Sequence, residues 1–330
     1  MSHCLISVQE VIHEWQLYYP MATDERNFRS SYYEKVGFRS VEEKKSLEIL
    51  LKDNKTLDKV KLQQFCLRFT VPGIYRNLVW KVLLDVVPIH VDSHKFVMQQ
   101  REEEYNDLVH SLYFMRIASD QTPKPQLFLL MWLLETGRLK YDWNTQLDNY
   151  FYQSLCSISQ SLLNVFDDSV DIYWISKGFF QFVDKFYNDV PKLTEYTRNL
   201  LEKEDQILFN HLLSIGALNS IPLQSWLCSC FAGIISESSL GKIWDKLTGG
   251  SCKILVFVAV VILRTLRRNL LKCLMTDNVL NCLRNIPEET AEVIVNKAIE
   301  MWQQYGSLLT PGGGPDSLKT HLPVSRNKPA

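Results

Sequence analysis

Turn-forming residues are scarce in this chain. Glycine occurs 13 times and proline 12 times, together 25 of 330 residues, against an ordinary combined share of about 12%. Eight of those 25 fall after residue 305, which leaves 17 for everything before it. A fold of many short strands and tight turns needs more. Abundant Leu, Glu, Lys and Gln favour helices instead. A basic excess is also missing: 36 Lys and Arg stand against 37 Asp and Glu, for a net charge of −1. That balance excludes a general polyanion binder, and no nucleic-acid partner is expected. Long apolar runs are absent too. The longest, Ile254 to Leu263, lies between Lys253 and Arg264 and is too short to span a bilayer. The N-terminus lacks a basic region, and Glu10 and Glu14 interrupt its apolar residues, so it does not read as a signal peptide. The eight cysteines, at 4, 66, 156, 228, 230, 252, 273 and 282, form no C-x-x-C pair and lie mostly within apolar runs. They read as reduced, buried thiols of a cytosolic protein. What is present, 46% hydrophobic and 22% charged residues, is the composition of a globular chain.

The periodicity predicts an all-α fold. Leu5, Val8, Ile12, Trp15 and Tyr19 fall at helical spacing within a segment, residues 1–25, that reads as an N-terminal extension. Helices are expected over 41–52, 56–69, 75–87, 93–117, 127–136, 148–166 and 170–187. Others are expected over 192–203, 205–215, 222–235, 238–247, 253–274, 276–285 and 288–305. Pro72-Gly73 and Thr122 to Pro125 read as breaks, and Gly137 as a C-cap. The Val- and Ile-rich run from Ile254 is locally ambiguous. The absence of any turn signal before the Leu and Arg residues that follow it favours a long buried helix. From Gly306 onward, Pro311-Gly312-Gly313-Gly314-Pro315 reads as a flexible tail.

Few residues carry an obvious chemistry. His90 and His94 flank Asp92, but without third and fourth ligands nearby they read as a solvated loop and not a metal site. Cys228 and Cys230 would point to different faces of a helix. Thr248 to Lys253 contains Gly and Lys but lacks phosphate-loop spacing and reads as a helix–helix connection. No G-x-S-x-G or H-E-x-x-H occurs. The tryptophans from Trp80 to Trp302 are expected mostly in the core.

Three segments carry a resemblance. Pro72-Gly73-Ile74-Tyr75-Arg76-Asn77-Leu78-Val79-Trp80, followed by Leu83-Leu84, resembles the opening of the TBC domain, the helical module of Rab GTPase-activating proteins. The order of its Gly, Ile and Pro is scrambled. Trp226, Phe231, Leu240 and Trp244-Asp245 resemble the W-F-L-W-D block of the same family, the most specific of the three. Ser169 to Trp174 resembles the aromatic segment that follows the family's second catalytic motif. The resemblance spans roughly residues 27–303, and it implies an all-α, two-lobed bundle over residues 26–305 with a tail over 306–330.

The family supplies two side chains in trans to a GTPase: an Arg in I-x-x-D-x-x-R, and a Gln in Y-x-Q-G that orients water. An arginine finger is worth about 10³–10⁵ in rate. Here the first motif aligns on Ile117, Asp120 and Pro123, so a proline stands where the Arg is required. Arg116 and Arg138 are the nearest substitutes, and each would need a remodelled loop. The second motif aligns on Phe151-Tyr152-Gln153-Ser154, with Gln153 either a leftover finger or a solvated helix residue. Asn27 to Ser30, Tyr33 to Arg39, Val41 to Asp53 and Ser251 to Val260 resemble more narrowly the branch of the family that serves the hamartin–tuberin complex. Met21 to Asn27 is similar to the start of that branch, which would make residues 1–20 an isoform-specific extension. The resemblance implies a non-catalytic scaffold with no cofactor. Its partners would be the hamartin coiled coil directly and tuberin indirectly. It would be cytoplasmic and reach lysosomes or vesicles through those partners. An active Rab GTPase-activating protein using Gln153 is the alternative.

Overall fold

A computed structural model describes residues 47–51, 56–284 and 286–305. The expected N-terminal extension, most of the helix expected over 41–52, and the tail lie outside the described residues. Among these the chain is helical, and its one extended pairing is an isolated bridge between Thr56 and His90. Acidic or amide side chains open many of the helices by accepting a backbone N–H in the first turn. Asp58 caps α1 (Lys59–Arg68), Asp142 caps α5 (Trp143–Leu147) and Asn149 caps α6 (Tyr150–Leu163). Asp168 does the same for α7 (Ser169–Phe186), and Asp205 for α9 (Gln206–Ser214). Prolines open others, where a missing N–H costs nothing. Pro72 precedes α2 (Gly73–Leu83) and Pro123 precedes α4 (Lys124–Glu135). The remaining helices are α3 (His94–Phe114), α8 (Val190–Glu204), α10 (Leu223–Cys228), α11 (Glu237–Thr248), α12 (Ile254–Thr265), α13 (Arg267–Leu270), α14 (Thr276–Arg284) and α15 (Glu288–Gln304).

Two groups of helices share one continuous core. In the first, α4 packs on α3 and α6, and α7 packs on α2, α3 and α6. In the second, α12 packs on α8, α11 and α15, with α9 against α8. The groups meet where α10 crosses α6 and where α11 lies on α1 and α2. The ambiguous apolar run is helical. Every residue from Ile254 to Leu263 is buried, because α12 has neighbours on all sides and needs no polar face. No helix among the described residues is long and apolar enough to cross a membrane.

Four expectations change. Residues 222–235 do not form one helix: α10 stops at Cys228, and the backbone turns through left-handed conformations at Cys230, Phe231 and Gly233. The 253–274 helix breaks at Leu266 into α12 and α13. The helix expected to reach Val87 ends at Leu83, ahead of Asp85 with its φ of 60°. Helix α5 was not foreseen. Six of the expected core tryptophans are buried, at 80, 132, 174, 226, 244 and 302, while Trp143 is half-buried. Cys66, Cys228, Cys230 and Cys273 are buried free thiols, and burial pushes the Cys228 thiol up to about 12.

Candidate functional site: a buried carboxylate hub and a polar pocket

Arg76 and Trp80 lie four residues apart on α2, so both project from one face toward α11. There they meet Asp245, whose side chain is fully buried. Arg76 Nε donates to Asp245 Oδ1 at 3.1 Å and Trp80 Nε1 to the same oxygen at 3.0 Å. The Val71 amide donates to Oδ2 at 2.9 Å. Arg76 Nη2 also donates to the Val71 carbonyl at 2.7 Å. Next along α11, the buried Lys246 donates to the carbonyl oxygens of Cys66 and Phe69 at 2.7 and 2.6 Å, closing the end of α1. A buried charge is tolerated only when paired and fully hydrogen-bonded, and this one is. The Arg-Trp opening segment and the Trp-Asp block are therefore two halves of one structural joint.

The third segment is structural as well. Trp174 Nε1 donates to the Arg101 carbonyl at 3.0 Å. The Arg101 guanidinium and the Lys177 ammonium lie 4.1 and 4.3 Å from the Trp174 ring. Lys177 also pairs with Glu135. These contacts fasten α7 to α3 and α4.

The two positions that the resemblance aligns with the family's fingers come together. Pro123, at the entrance to α4, and Gln153, in the first turn of α6, line one pocket of about 400 Å³. Pro125, Gln126, Asn144, Leu147, Asp148 and Cys156 complete the lining. Pro123 is exposed, with φ −56° and ψ 135°. Gln153 is exposed and its amide nitrogen donates to the Asp148 carbonyl at 3.3 Å. Cys156 offers no thiolate here, since burial pushes it up to about 12. Asp120 is exposed on the loop before Pro123. That loop is held by its own contacts: the Ser119 amide donates to Thr122 Oγ1 at 2.9 Å.

The pocket lining holds three amides and one carboxylate but neither Lys nor Arg. The substitutes are committed elsewhere or lie outside it. Arg138 makes a two-pronged pair with Asp184, at 2.9 and 3.0 Å, and lies over Trp132. Its hydrogen bond to Asp184 raises its already high pKa. Arg116 is at a left-handed turn after α3 and does not line the pocket. Lys124 follows Pro123 but donates to Ser169 Oγ at 2.8 Å. Such a lining can hydrogen-bond a polar group or hold a water; it has no cation to set against growing negative charge.

Around the pocket, the residues that the resemblance aligns with the family's Tyr and Gly are packing groups. Phe151 is buried with its ring centroid 4.4 Å from that of Tyr187. Ser154 is buried, donates to the Tyr150 carbonyl at 2.8 Å, and lies 3.4 Å from the Ser225 carbonyl of α10. Periodicity does not reveal Gln146. This buried amide accepts from the Lys140 amide and donates to the Arg138 carbonyl and Tyr152 Oη, pinning the 138–146 loop beside the pocket. A glutamine in a polar stretch carries no sequence signal of burial. His90 and His94 are spent locally, on Thr56 Oγ1 and the Pro88 carbonyl. No cluster of metal-ligating side chains occurs among the described residues.

This fold, with the Arg-Trp and Trp-Asp segments locked together, defines a class, and comparison with known proteins agrees. Residues 141–271 match the Rab-GTPase-TBC domain family, a stretch that begins after Pro123. The chain belongs to the TBC-domain family. It is 44% identical to TBC1 domain family member 7 of Homo sapiens over 285 residues, covering 85% of this chain and 96% of that one. It is equally identical to the Danio rerio protein of the same name, over 86% of this chain and 97% of that one. Among solved structures it resembles the Ypt/Rab-GAP domain of Gyp1p, with a TM-score of 0.57, 14% identity, and coverage of 80% of this chain and 99% of that one. It also resembles a Chlamydomonas flagellar RabGAP TBC domain, with a TM-score of 0.52, 18% identity, and coverage of 85% and 95%. At those identities the likeness speaks for the fold alone.

Proposed function

We propose that this chain is a TBC-domain scaffold that does not catalyse GTP hydrolysis. It binds the hamartin coiled coil and through it stabilises the hamartin–tuberin assembly, a GTPase-activating complex toward Rheb that restrains TOR kinase signalling. The observation that carries the non-catalytic half is Pro123 at the arginine position of a pocket whose lining has no cation. An absent finger forfeits about 10³–10⁵ in rate, or roughly 4–7 kcal/mol of barrier. The partner follows from the resemblance of Tyr33 to Arg39 and Ser251 to Val260 to the hamartin-binding branch of the family. Binding would be helix-in-groove, with coiled-coil helices laying apolar residues between TBC helices. The protein would be cytoplasmic and reach lysosomal or vesicular surfaces through its partners.

The test is calorimetric titration of the full chain with a peptide spanning the hamartin C-terminal coiled coil. Saturable binding at micromolar affinity or tighter supports the scaffold, and no heat at high peptide concentration overturns it. A second reading, an active Rab GTPase-activating protein, is favoured by one observation: Gln153 still faces the pocket beside the degenerate position. Single-turnover GTP hydrolysis across a panel of Rab GTPases decides it. Acceleration by the wild-type chain that disappears in Gln153→Ala would replace the scaffold reading with the catalytic one.

A further inference from the structure

Two cysteines that the function above does not use lie against each other. Cys273 sits in the turn after α13 and Cys282 sits in α14, and their sulfurs are 3.8 Å apart. We propose that they form an oxidisable dithiol, a modification site for oxidants of the peroxide class that closes reversibly into a disulfide.

Three observations converge on it. The first is reach. A disulfide needs its sulfurs at about 2.05 Å, so side-chain rotation has to close less than about 2 Å. The second is a fixed frame. His211 Nε2 donates to the carbonyl oxygens of Leu270 and Cys273 at 3.1 and 3.0 Å. Thr276 Oγ1 donates to the Ile215 carbonyl at 3.1 Å. Both ends of the turn are thus tied to the end of α9, and Val279, between the two cysteines in sequence, is fully buried. The third is a division of access. Cys282 is half-buried and reachable, whereas Cys273 is 6% exposed, with its thiol 3.3 Å from the Asn269 carbonyl. One sulfur can meet an oxidant from solvent while the other waits in contact with it, which is the arrangement of an attacked and a resolving cysteine.

The steps balance. Hydrogen peroxide oxidises the Cys282 thiol to a sulfenic acid, and the O–O bond breaks with release of water. The Cys273 sulfur then attacks the sulfenic sulfur. The S–S bond forms, the S–O bond breaks, and a second water leaves with the thiol proton. Two electrons pass from the pair of thiols to the peroxide, and exchange with a small-molecule thiol reverses the change. The product staples the end of α13 to α14 and constrains the turn that presents Leu274 and Met275, 82% and 59% exposed.

Trypsin provides a direct readout, because one peptide, residues 273–284, follows Lys272, ends at Arg284 and contains both sulfurs. The fully reduced full-length chain is treated with hydrogen peroxide, quenched by alkylation, digested and weighed. Peptide 273–284 is expected to lose two hydrogens and take up no alkylating agent. It should do so about tenfold faster than the half-buried Cys156 and Cys252 lose theirs, and dithiothreitol should restore it. In Cys273→Ser, Cys282 should instead accumulate as a sulfinic acid, or as a mixed disulfide when glutathione is present. Alkylation of both sulfurs after the other thiols have been oxidised would overturn the proposal. So would sulfinic acid forming at Cys282 as fast in the intact chain as in Cys273→Ser.

Discussion

Asp245 accepts three kinds of donor at once: the Arg76 guanidinium, the Trp80 indole and the Val71 amide. Asp245→Ala leaves a guanidinium that is only 12% exposed without its counter-charge, and two buried N–H groups without acceptors. Removing one member of a buried pair costs about 3–5 kcal/mol. The unfolding free energy obtained from urea titration should fall by that amount, and less in Asp245→Asn, which keeps an acceptor. A loss under about 1 kcal/mol in Asp245→Ala would mean that the joint is solvated in solution. Pro123 is the opposite kind of residue. It is exposed and its extended backbone suits any side chain. Pro123→Arg should therefore stay within about 0.5 kcal/mol of the parent, checked in the same urea series. That makes it a fair probe of whether a guanidinium at this position confers GTPase stimulation.

Among the helices, close approach is decided by glycines. A Cβ at Gly178 of α7 would lie 2.7 Å from Leu84 Cβ, a backbone-proximal atom that cannot swing away. Gly178→Ala should lower stability by about 1–3 kcal/mol through overpacking, despite the better helix propensity of alanine. Gly73, which opens α2, has nothing within 4 Å of the same position. There Gly73→Ala should be neutral or stabilising by up to about 1 kcal/mol. Thermal melts of the two variants side by side separate packing from propensity, and equal losses in both would refute the packing account. The same scale shows why some helices were legible and others not. Stripes such as Leu78, Val79, Val82 and Leu83 repeat every turn, so α2 is readable from spacing. Helix α10 ends without a proline or an adjacent glycine. Its stop is fixed by Trp244 Nε1 on α11, which donates 3.0 Å to the Cys230 carbonyl, and by Phe231 folding back against Trp226. A local reading carries no trace of the Trp244 contact, so the helix expected over 222–235 overran. Helix α5 is five residues long and relies on the Asp142 cap and its neighbour α6, too little periodicity to detect.

At the scale of the whole molecule, the site was legible only through resemblance. Pro123 and Gln153 are thirty positions apart, and composition or spacing alone gives no reason to pair them; the fold brings both to one pocket. Arg76 and Asp245 are separated by 169 residues, and nothing local announces their ion pair. The scaffold reading likewise makes a prediction about the whole chain. A partner that binds only the folded state stabilises it by RT ln(1 + [L]/Kd), about 2.7 kcal/mol when the partner stands at a hundred times its Kd. For a chain of this size, that corresponds to a rise in Tm of roughly 5 °C. The hamartin coiled-coil peptide should therefore raise the Tm of the full chain progressively with concentration. Because the pocket around Gln153 serves no catalytic step in this reading, Gln153→Ala should show the same rise and the same baseline Tm. A rise abolished in Gln153→Ala would place the partner on the degenerate finger pocket itself. Absence of any rise at saturating peptide would remove the coiled coil as the partner and return the question to Rab GTPases.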